Sequence, residues 1–545
     1  MFEFSNLMSV VGLFTMLALA WAMSYHKTKV RLRPVIAGMS LQFLLAMMIM
    51  PDDKNVSFVG MGLLASLMVI YVLKEETFIP IEGPVRHVVH ALIGGMLGAA
   101  LFFLGAIIIA WLLGLSLLGL LLNSLWLKKE KLGRYGTVLF LSSSVAYLVA
   151  TGMNGKTLFS AFTKKVETFL ALSEHGSGFM FGFQWFRTTD NSYFPGFAQA
   201  FAFSVLPTII FFGGVMSVLY YLGIVQKVVL GLSRFMRWSM GTSGSESLSC
   251  SANIFVGQTE APLLVKPFLQ DMTKSELLTI MVGGFATIAG GVLAGYISMG
   301  VDAGHLIAAS VMSAPAALVI SKIIYPELEH SATAGDVDPP LIPVADNVLE
   351  AAASGISDGL KLAMNVGAML IGFIALIAVL DVLLNFMDSI IDGRLLKGAR
   401  VEYPPLFAAV VPGEFEGIFP GSLQTLFGKT LKYLALLMGV PMEDATTVGG
   451  LLGVKLSINE FVAFLQLGTY INNEVLSPRG QLIATYALCG FANFSSIGIQ
   501  IGGISALAPE RRKDLSRVGL KAMFGGALAS WTTACVAGIF FVNPV

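Results

Sequence analysis

Long apolar runs separated by short polar segments dominate this chain. Eleven of them approach or exceed the roughly 20 residues that an α-helix needs to cross a bilayer: 5–24, 34–50, 57–73, 88–126, 136–153, 202–224, 275–299, 303–323, 358–386, 481–505 and 517–541. As one helix the run 88–126 would measure about 58 Å, so it predicts two helices joined by a tight turn. The pattern therefore predicts an all-α polytopic membrane protein.

Two other stretches, 241–265 and 448–475, are apolar but interrupted by Ser, Asn, Gln, Glu and Gly. Backbone that is not helical is tolerated at membrane depth only where it lines a protein cavity. These stretches therefore predict re-entrant hairpins rather than spans. Polar and proline-rich residues make 326–350 a predicted cytoplasmic loop and 387–430 a mixed connecting stretch.

Basic residues predict the orientation, because cytoplasmic loops carry an excess of Lys and Arg. Glu3 precedes the first run and the positive charges follow it, which favours an uncleaved span with its N-terminus outside. With two helices in 88–126, the clusters 128–134, 227–237 and 511–513 all become cytoplasmic. One long helix there, combined with a non-spanning 57–73, would give the same result. We expect both termini on the outer side of the plasma (inner) membrane.

The composition excludes several classes of protein. Of 545 residues only 12% are charged and 55% are hydrophobic, and the mean hydropathy is +0.78, whereas soluble chains carry about 25% charged residues. The 34 basic and 34 acidic residues cancel, so no basic surface for nucleic acid is expected. Three cysteines without a paired spacing predict neither a disulfide framework nor a metal knuckle.

The two interrupted stretches are related to each other. Asn253-Ile254-Phe255-Val256 is followed, 31 residues after its Asn, by Gly284-Phe285-Ala286-Thr287. Asn459-Glu460-Phe461-Val462 is followed at the same spacing by Gly490-Phe491-Ala492-Asn493, and one offset of 206 residues superimposes both halves. Three predicted crossings lie between the copies, so the second copy is inverted. Inverted repeats with interrupted helices are typical of secondary transporters that bind substrate near the midplane.

Polar side chains in these stretches are the candidate binding groups. The first copy has Gln258, Thr259 and Glu260, the second has Glu460, and the segment after it adds Asn493, Ser495 and Ser496. An acidic residue at membrane depth is a functional hypothesis by default, although Glu260 and Glu460 could instead bind backbone amides at helix breaks. The set is rich in neutral hydrogen-bonding groups and has no Arg or Lys, which favours a neutral polyhydroxylated or heteroaromatic solute.

Asn253 and Thr287 have two possible roles. They could satisfy local backbone groups, or they could coordinate a cation together with carbonyls freed by an unwound helix. No HExxH motif and no hydrolytic carboxylate pair is present, so no enzyme activity is expected. A channel would need a continuous polar pore, whereas these residues form two matched patches.

Three motifs resemble the concentrative nucleoside transporter family, in its sodium-coupled bacterial branch. They are Asn253-Ile254-Phe255-Val256-Gly257-Gln258-Thr259-Glu260-Ala261-Pro262, Asn459-Glu460-Phe461-Val462-Ala463, and Cys489-Gly490-Phe491-Ala492-Asn493-Phe494-Ser495-Ser496-Ile497. The resemblance covers 1 to about 50 and about 176 to 545. It implies sodium-driven uptake of nucleosides such as uridine or adenosine by a homotrimer, whose protomers combine a scaffold with a transport part that moves as an elevator.

The resemblance also implies roles for individual residues. Gln258, Thr259 and Glu260 would face the nucleobase, and its apolar surroundings would be Val292, Leu362 and Phe491. The ribose hydroxyls would bind Glu460, Asn493 and Ser496. Sodium would bind Asn253, the Val256 carbonyl, the Thr287 hydroxyl and the Ile288 carbonyl. A proton-coupled transporter of the same fold is the alternative, although the segment Gly257–Pro262 departs from that branch.

Two segments depart from the compact bacterial form. About 51–150 and 393–418 look inserted, and both lie outside the three motifs. The expected organisation is 1–50, N-terminal scaffold helices; 51–150, inserted transmembrane helices; 151–240, scaffold and interfacial helices; 241–325, first transport repeat; 326–440, cytoplasmic loop, scaffold helix and outer connecting segment; 441–545, second transport repeat.

Overall fold

A computed structural model describes residues 4–74, 84–102, 105–123, 129–181, 201–335, 337, 345–402 and 413–541. The chain divides into two compact units, one of residues 1–39 and 163–545 and the other of residues 40–162. Helices make up nearly all of the described structure, with one two-stranded antiparallel sheet, β1 (Arg400–Glu402) and β2 (Gly413–Phe415).

The helices before the first interrupted stretch begin with α1 (Phe4–Ala22) and α2 (Leu32–Ile49). They continue with α3 (Lys54–Val72), α4 (Pro84–Phe102), α5 (Ala106–Leu122), α6 (Glu130–Ala150), α7 (Gly155–Leu170), α8 (Ser173–Phe181), α9 (Phe201–Tyr221) and α10 (Ile224–Met240). The apolar run 88–126 thus contains two helices, as predicted, and Gly105 caps the second of them.

Helices α3, α4, α5 and α6 pack together in the smaller unit. Val69, Leu73 and Val138 form one buried apolar cluster, and Leu101, Ile109 and Ala146 form another. A cavity of about 430 Å³ lies among α3, α4 and α6 and is lined mainly by Gly, Ala, Val and Ser side chains. None of the residues that line this cavity is a candidate substrate or sodium ligand.

Within the larger unit, one order of elements occurs twice. The first copy is α11 (Gly244–Ala252), a 3-10 helix (Ala261–Phe268), α12 (Lys274–Ala286), α13 (Gly290–Ser298) and α14 (Ala303–Ile324). The second copy is α17 (Ala445–Ser457), α18 (Glu460–Asn472), α19 (Pro478–Leu488), α20 (Phe494–Leu507) and α21 (Arg512–Phe540). This is the internal repeat that the sequence predicted.

Each copy consists of a helical pair, a broken helix and a long helix. At 1.5 Å per residue the 13 residues of α17 reach only about 20 Å, too short to cross the hydrocarbon core. The broken helices are interrupted at 287–289, which we call break 1, and at 489–493, which we call break 2. Helix α14 is mostly buried, as is the part of α21 after its first turns, and the two helices pack against α12 and α19, respectively.

Between the copies lie α15 (Val348–Asp388), which continues as a π-helix over Ser389–Leu395, and α16 (Leu423–Leu437). Helix α15 has 41 residues and packs along α9. The two backbones approach closely at glycines, since a Cβ on Gly213 would lie 2.7 Å from the Gly355 carbonyl oxygen. Much of the opposite face of α15 is apolar and exposed, including Met364, Ile371 and Phe386.

The number of continuous spans is smaller than the eleven apolar runs suggested. Among the described residues, seven helical segments are long and apolar enough to cross a membrane, or up to nine if each of two bent pairs is one span. Helices α4, α5 and α20 have shorter apolar stretches of 10–17 residues. The run 481–505 is interrupted by break 2, and 202–224 ends where α9 turns by 74° into α10. Hydropathy records the apolar residues but not the breaks between them.

Polar contacts fix the base of the first helical pair. Glu246 and Glu276 complete capping boxes at the starts of α11 and α12. The ammonium of Lys322, on α14, lies 2.6 Å from the Glu246 carboxylate. Ser331 and Thr333 donate to Glu276 at 2.7 and 2.6 Å. These buried residues tie the start of the predicted loop 326–350 to both helices.

The base of the second copy uses different residues. The Ser477 hydroxyl caps α19 and donates to Asp444 at 2.5 Å. Arg479, 1% exposed, donates to the carbonyls of Gly439 and Gly538 at 2.7 and 2.9 Å. Burial removes water from the guanidinium, and these carbonyl acceptors replace the hydrogen bonds that it loses. The start of α19 is thereby attached to the end of α21.

Candidate functional site

The two breaks lie against each other. Gly490, in break 2, has φ +121°, and a Cβ there would lie 2.5 Å from the Phe285 carbonyl oxygen and 2.8 Å from that of Ala286. A side chain at this position would therefore be strained and would collide with the backbone at the end of α12. The contact brings polar groups of both copies into one region.

Glu460 is the buried acid of this region. It is the first residue of α18 and is 5% exposed. Tyr296 donates its hydroxyl to one carboxylate oxygen at 3.3 Å, and Asn493 donates its amide to the other at 3.1 Å. Tyr296 is itself held by stacking on Phe464, with ring centroids 4.3 Å apart. A carboxylate with spare lone pairs at a helix N-terminus is a strong acceptor for hydroxyl donors.

Gln258 links the first copy to the second. Its Nε2 donates to the Ser496 hydroxyl at 3.4 Å, and its Oε1 accepts from Gln500 Nε2 at 3.0 Å. The backbone N–H of Ser496 donates to Asn493 at 2.8 Å. Gln258, Ser496, Asn493 and Glu460 therefore form one connected polar row from the loop before the 3-10 helix of the first copy to break 2 and the start of α18.

Glu260 differs from Glu460. It is exposed, caps the 3-10 helix without a side-chain hydrogen bond, and has none to any other described residue. Thr259 is half-buried and lies against Gly503. The sequence predicts both acids to lie at membrane depth. Among the described residues, the structure surrounds only Glu460 with hydrogen-bond donors.

The three apolar candidates come from three elements. Val292, on α13, is 4% exposed, whereas Leu362, on α15, is 36% exposed. The two helices approach each other where Leu362 lies beside Gly291. Phe491 is half-buried within break 2. Leu362 and Phe491 are thus partly exposed, whereas Val292 is almost fully buried.

The four candidate sodium ligands gather around break 1. Asn253 is 1% exposed, and its Nδ2 donates to the Ser249 carbonyl at 3.0 Å, which leaves its Oδ1 without a partner among the described residues. The Thr287 hydroxyl donates to the Gly283 carbonyl at 2.9 Å and keeps its lone pairs free. In the described chain, neither the Val256 nor the Ile288 carbonyl accepts a backbone hydrogen bond.

These oxygens fit a hard monovalent cation. A buried acceptor without a partner is costly unless something fills its place. Carbonyl, amide and hydroxyl oxygens are hard ligands. Within the ranges that the structure describes, no three His, Cys, Asp or Glu side chains gather to hold a metal ion.

The equivalent positions in the second copy are already occupied. Asn459 Oδ1 accepts the Val462 N–H at 2.9 Å and Asn493 Oδ1 accepts the Ser496 N–H at 2.8 Å. The fully buried Lys455 places its ammonium 2.8 Å from the Ala487 carbonyl and 3.5 Å from that of Cys489. The second copy thus contains a cation of its own, beside break 2.

Three residues of this region were not identified from the sequence: Tyr296, Lys455 and Gln500. Gln500 carried a usable signal, since it is a polar residue in an apolar helix, four positions and about one turn after Ser496. The contact between Tyr296 and Glu460 joins residues 164 positions apart. No local pattern predicts such a pair.

Sequence comparison matches three family models. The model "Na+ dependent nucleoside transporter N-terminus" matches residues 11–52, "Nucleoside recognition" matches 202–303, and "Na+ dependent nucleoside transporter C-terminus" matches 305–538. Residues 53–201 lie outside these matches.

Two relatives illustrate the extent of the similarity. Sodium/nucleoside cotransporter 1 of Rattus norvegicus is 42% identical over 400 residues, which are 69% of this chain and 55% of that protein. An uncharacterized transporter of Haemophilus influenzae is 43% identical over 394 residues, covering 71% of this chain and 86% of that one. The chain thus spans about half the length of the mammalian relatives that it matches.

Solved structures are similar along almost the whole chain. CNTnw in an inward-facing substrate-bound state has 30% identity and a TM-score of 0.68, covering 99% of this chain and 100% of that one. A CNTnw variant in an outward-facing state has 29% identity and a TM-score of 0.70, covering 98% of each. From the fold, the three motifs and these matches, we conclude that the chain belongs to the concentrative nucleoside transporter family.

Proposed function

We propose that this protein is a secondary active symporter that takes up nucleosides such as uridine or adenosine together with sodium. The observation that carries the proposal is the contact between the two breaks, which brings the polar row close to a group of hard oxygens, of which Asn253 Oδ1 has no partner among the described residues. Sodium-dependent relatives with similar sequences support the choice of ion and substrate class.

In this proposal the ribose binds at the second copy. Glu460 accepts ribose hydroxyl protons, and Asn493 and Ser496 complete the set. A hydrogen bond to a charged group contributes about 1.5–3 kcal/mol, so Glu460 supplies much of the sugar affinity. Tyr296 orients the carboxylate.

The nucleobase then lies toward the first copy. Gln258, Thr259 and Glu260 face its polar edge, and Val292, Leu362 and Phe491 cover its apolar faces. Glu260 needs no rearrangement of an existing hydrogen bond before it meets a ligand, because among the described residues it has none.

Sodium binds between Asn253 and break 1, through the Asn253 amide oxygen, the Thr287 hydroxyl and the carbonyls of Val256 and Ile288. One positive charge moving inward across 100 mV releases about 2.3 kcal/mol. That energy supports roughly 50-fold accumulation before any sodium gradient is added. Because break 1 also meets break 2, an ordered cation site stabilises the wall of the nucleoside site.

We further propose a homotrimer with an elevator-type movement of the two repeats. CNTnw is known in inward-facing and outward-facing states, which supports alternating access in this family. The exposed apolar face of α15 is suited to contact with other copies or with lipid. Both termini lie on the outer side of the inner membrane in this arrangement.

Residues 51–150 are proposed to be an inserted set of membrane helices without a role in binding. Their helices form the smaller compact unit together with neighbouring residues, and the family matches leave 53–201 uncovered. A variant lacking 51–150 should still accumulate nucleosides. A variant that assembles like the full chain but cannot transport would refute this role.

Uptake into proteoliposomes tests the proposed function. Radiolabelled uridine and adenosine should accumulate only when sodium is present outside, and unlabelled nucleosides should compete while free nucleobases and free ribose compete poorly. Accumulation that persists without sodium but requires an inward proton gradient would establish the proton-coupled alternative. Single-channel currents would indicate a channel, and consumption of nucleoside without uptake would indicate an enzyme.

A further inference from the structure

Gln500 lies behind the proposed base-binding residues and does not face the substrate region directly. It is 1% exposed on α20. Its Nε2 donates to two acceptors, the Met281 carbonyl at 3.2 Å and Gln258 Oε1 at 3.0 Å. The place for this amide exists because residue 284 is glycine: a Cβ there would lie 2.6 Å from Gln500 Nε2 and 3.0 Å from Gln258 Cβ.

The Met281 carbonyl fixes which way the Gln500 amide points. A carbonyl oxygen only accepts hydrogen bonds, so the NH₂ group of Gln500 must face it. The reversed amide would place Oε1 against that carbonyl oxygen. In the observed orientation Gln500 Oε1 has no partner among the described residues. Reversal of the Gln500 amide would instead place its oxygen against two other oxygens, the Met281 carbonyl and Gln258 Oε1.

The orientation of Gln500 in turn fixes that of Gln258. Because Gln500 presents N–H groups, Gln258 must turn its oxygen toward them, and its own NH₂ group then points to Ser496 and the substrate region. A reversed Gln258 would bring two NH₂ groups together. The Met281 carbonyl therefore determines, through the Gln500 amide, that Gln258 presents an N–H donor to the proposed binding site.

We propose that Gln500 is a positioning residue that selects nucleobases by their hydrogen-bonding polarity. By holding the Gln258 amide, it presents an N–H donor to the substrate and favours bases that offer an acceptor there. Gln258 donates to Ser496 of the ribose set but belongs to the proposed base-binding set, and we place its second N–H at the base edge remote from the sugar. This inference rests on the proposed nucleoside transport.

Two matched substrate pairs test the inference. Uridine and cytidine, and likewise inosine and adenosine, differ at that remote edge by exchange of a carbonyl for an amino group. In Gln500→Glu the side chain cannot donate to both Met281 and Gln258, so the Gln258 amide reverses and presents its oxygen. The uridine-to-cytidine and inosine-to-adenosine ratios of kcat/KM should each fall about tenfold, the effect of one mismatched hydrogen bond.

A second variant and a double mutant separate positioning from folding. Gln500→Met keeps the length of the side chain but holds neither amide orientation, so both ratios should move toward one. Gln258→Leu should also collapse them, and adding Gln500→Glu to Gln258→Leu should then have no further effect on the ratios. The uridine-to-2′-deoxyuridine ratio reports ribose recognition, and because Gln258 reaches the ribose set only through Ser496, this ratio should change much less than the two base ratios.

The outcomes are distinct. Ratios that remain at the wild-type value in Gln500→Glu and Gln500→Met, with uptake retained, overturn the role of Gln500. The same conclusion follows if Gln500→Glu still shifts them in the Gln258→Leu background. Absence of uptake of all four nucleosides by the wild-type protein would instead refute the proposed function itself.

Discussion

The two copies of the repeat share their elements but differ in what remains open for a ligand. In the first copy the Asn253 amide oxygen has no partner among the described residues. In the second copy Asn459 and Asn493 use theirs to cap α18 and α20, and Lys455 donates to the carbonyls before break 2. One fold therefore provides two breaks, and local side chains distinguish the break proposed to bind a cation from the break proposed to bind a sugar.

The largest expected effect comes from removing the open oxygen. Asn253→Ala should raise the sodium concentration needed for half-maximal uptake by at least tenfold, because a desolvated cation loses one of its four proposed ligands. Uptake measured against sodium concentration at fixed uridine tests this.

Asn459→Ala is the matched control in the second copy. Loss of this helix cap should lower thermal stability by about 1 kcal/mol and leave the sodium requirement unchanged. An equal loss of sodium affinity in both variants would contradict the difference between the copies.

Next in size is the difference between the two acids. Glu460→Gln should weaken uridine binding by about tenfold, because a hydrogen bond to a charged acceptor contributes about 1.5–3 kcal/mol and one to a neutral acceptor about 0.5–1.5 kcal/mol. Glu260→Gln should cost less, since Glu260 is exposed and its interactions are screened. Isothermal titration of detergent-solubilised protein measures both. Unchanged uridine affinity in Glu460→Gln would refute its assignment.

Replacing Lys455, the buried cation of the second copy, should lower the thermal stability of the protein. Lys455→Met leaves the buried Ala487 carbonyl without its donor, at a cost of about 1–3 kcal/mol, so the unfolding midpoint should fall. The 206-residue offset places Ser249 opposite Lys455, and its hydroxyl has no partner in the described chain. Ser249→Ala should therefore leave the midpoint nearly unchanged, and an equal fall in both variants would argue against this role of Lys455.

The smallest effect concerns a feature that the copies share. Thr273 caps α12 and also donates to Glu327, while Ser477 caps α19 and also donates to Asp444. Thr273→Ala and Ser477→Ala should each lower stability by about 1 kcal/mol, with little effect on transport. A large difference between them in thermal unfolding would mean that the two copies are anchored unequally.

Much of this arrangement could be predicted from the sequence, because it depends on local patterns. The apolar runs, the two helices in 88–126 and the repeat all follow from residue type and spacing. The span count could not, since hydropathy averages across breaks. The exposure of Glu260 could not be predicted either, because it depends on how the chain packs after folding. The partners of Glu460 could not be predicted because they depend on where Tyr296 and Asn493 lie after folding.

Gly490 shows how little material separates the two ligands. Its missing side chain lets the loop that precedes Asn493 rest directly on the backbone of Phe285 and Ala286, next to Thr287. A methyl group at this position would push apart the segments that carry the proposed sugar and sodium ligands. In the proposed function, communication between ion and solute therefore depends on one position where the chain carries only a hydrogen atom.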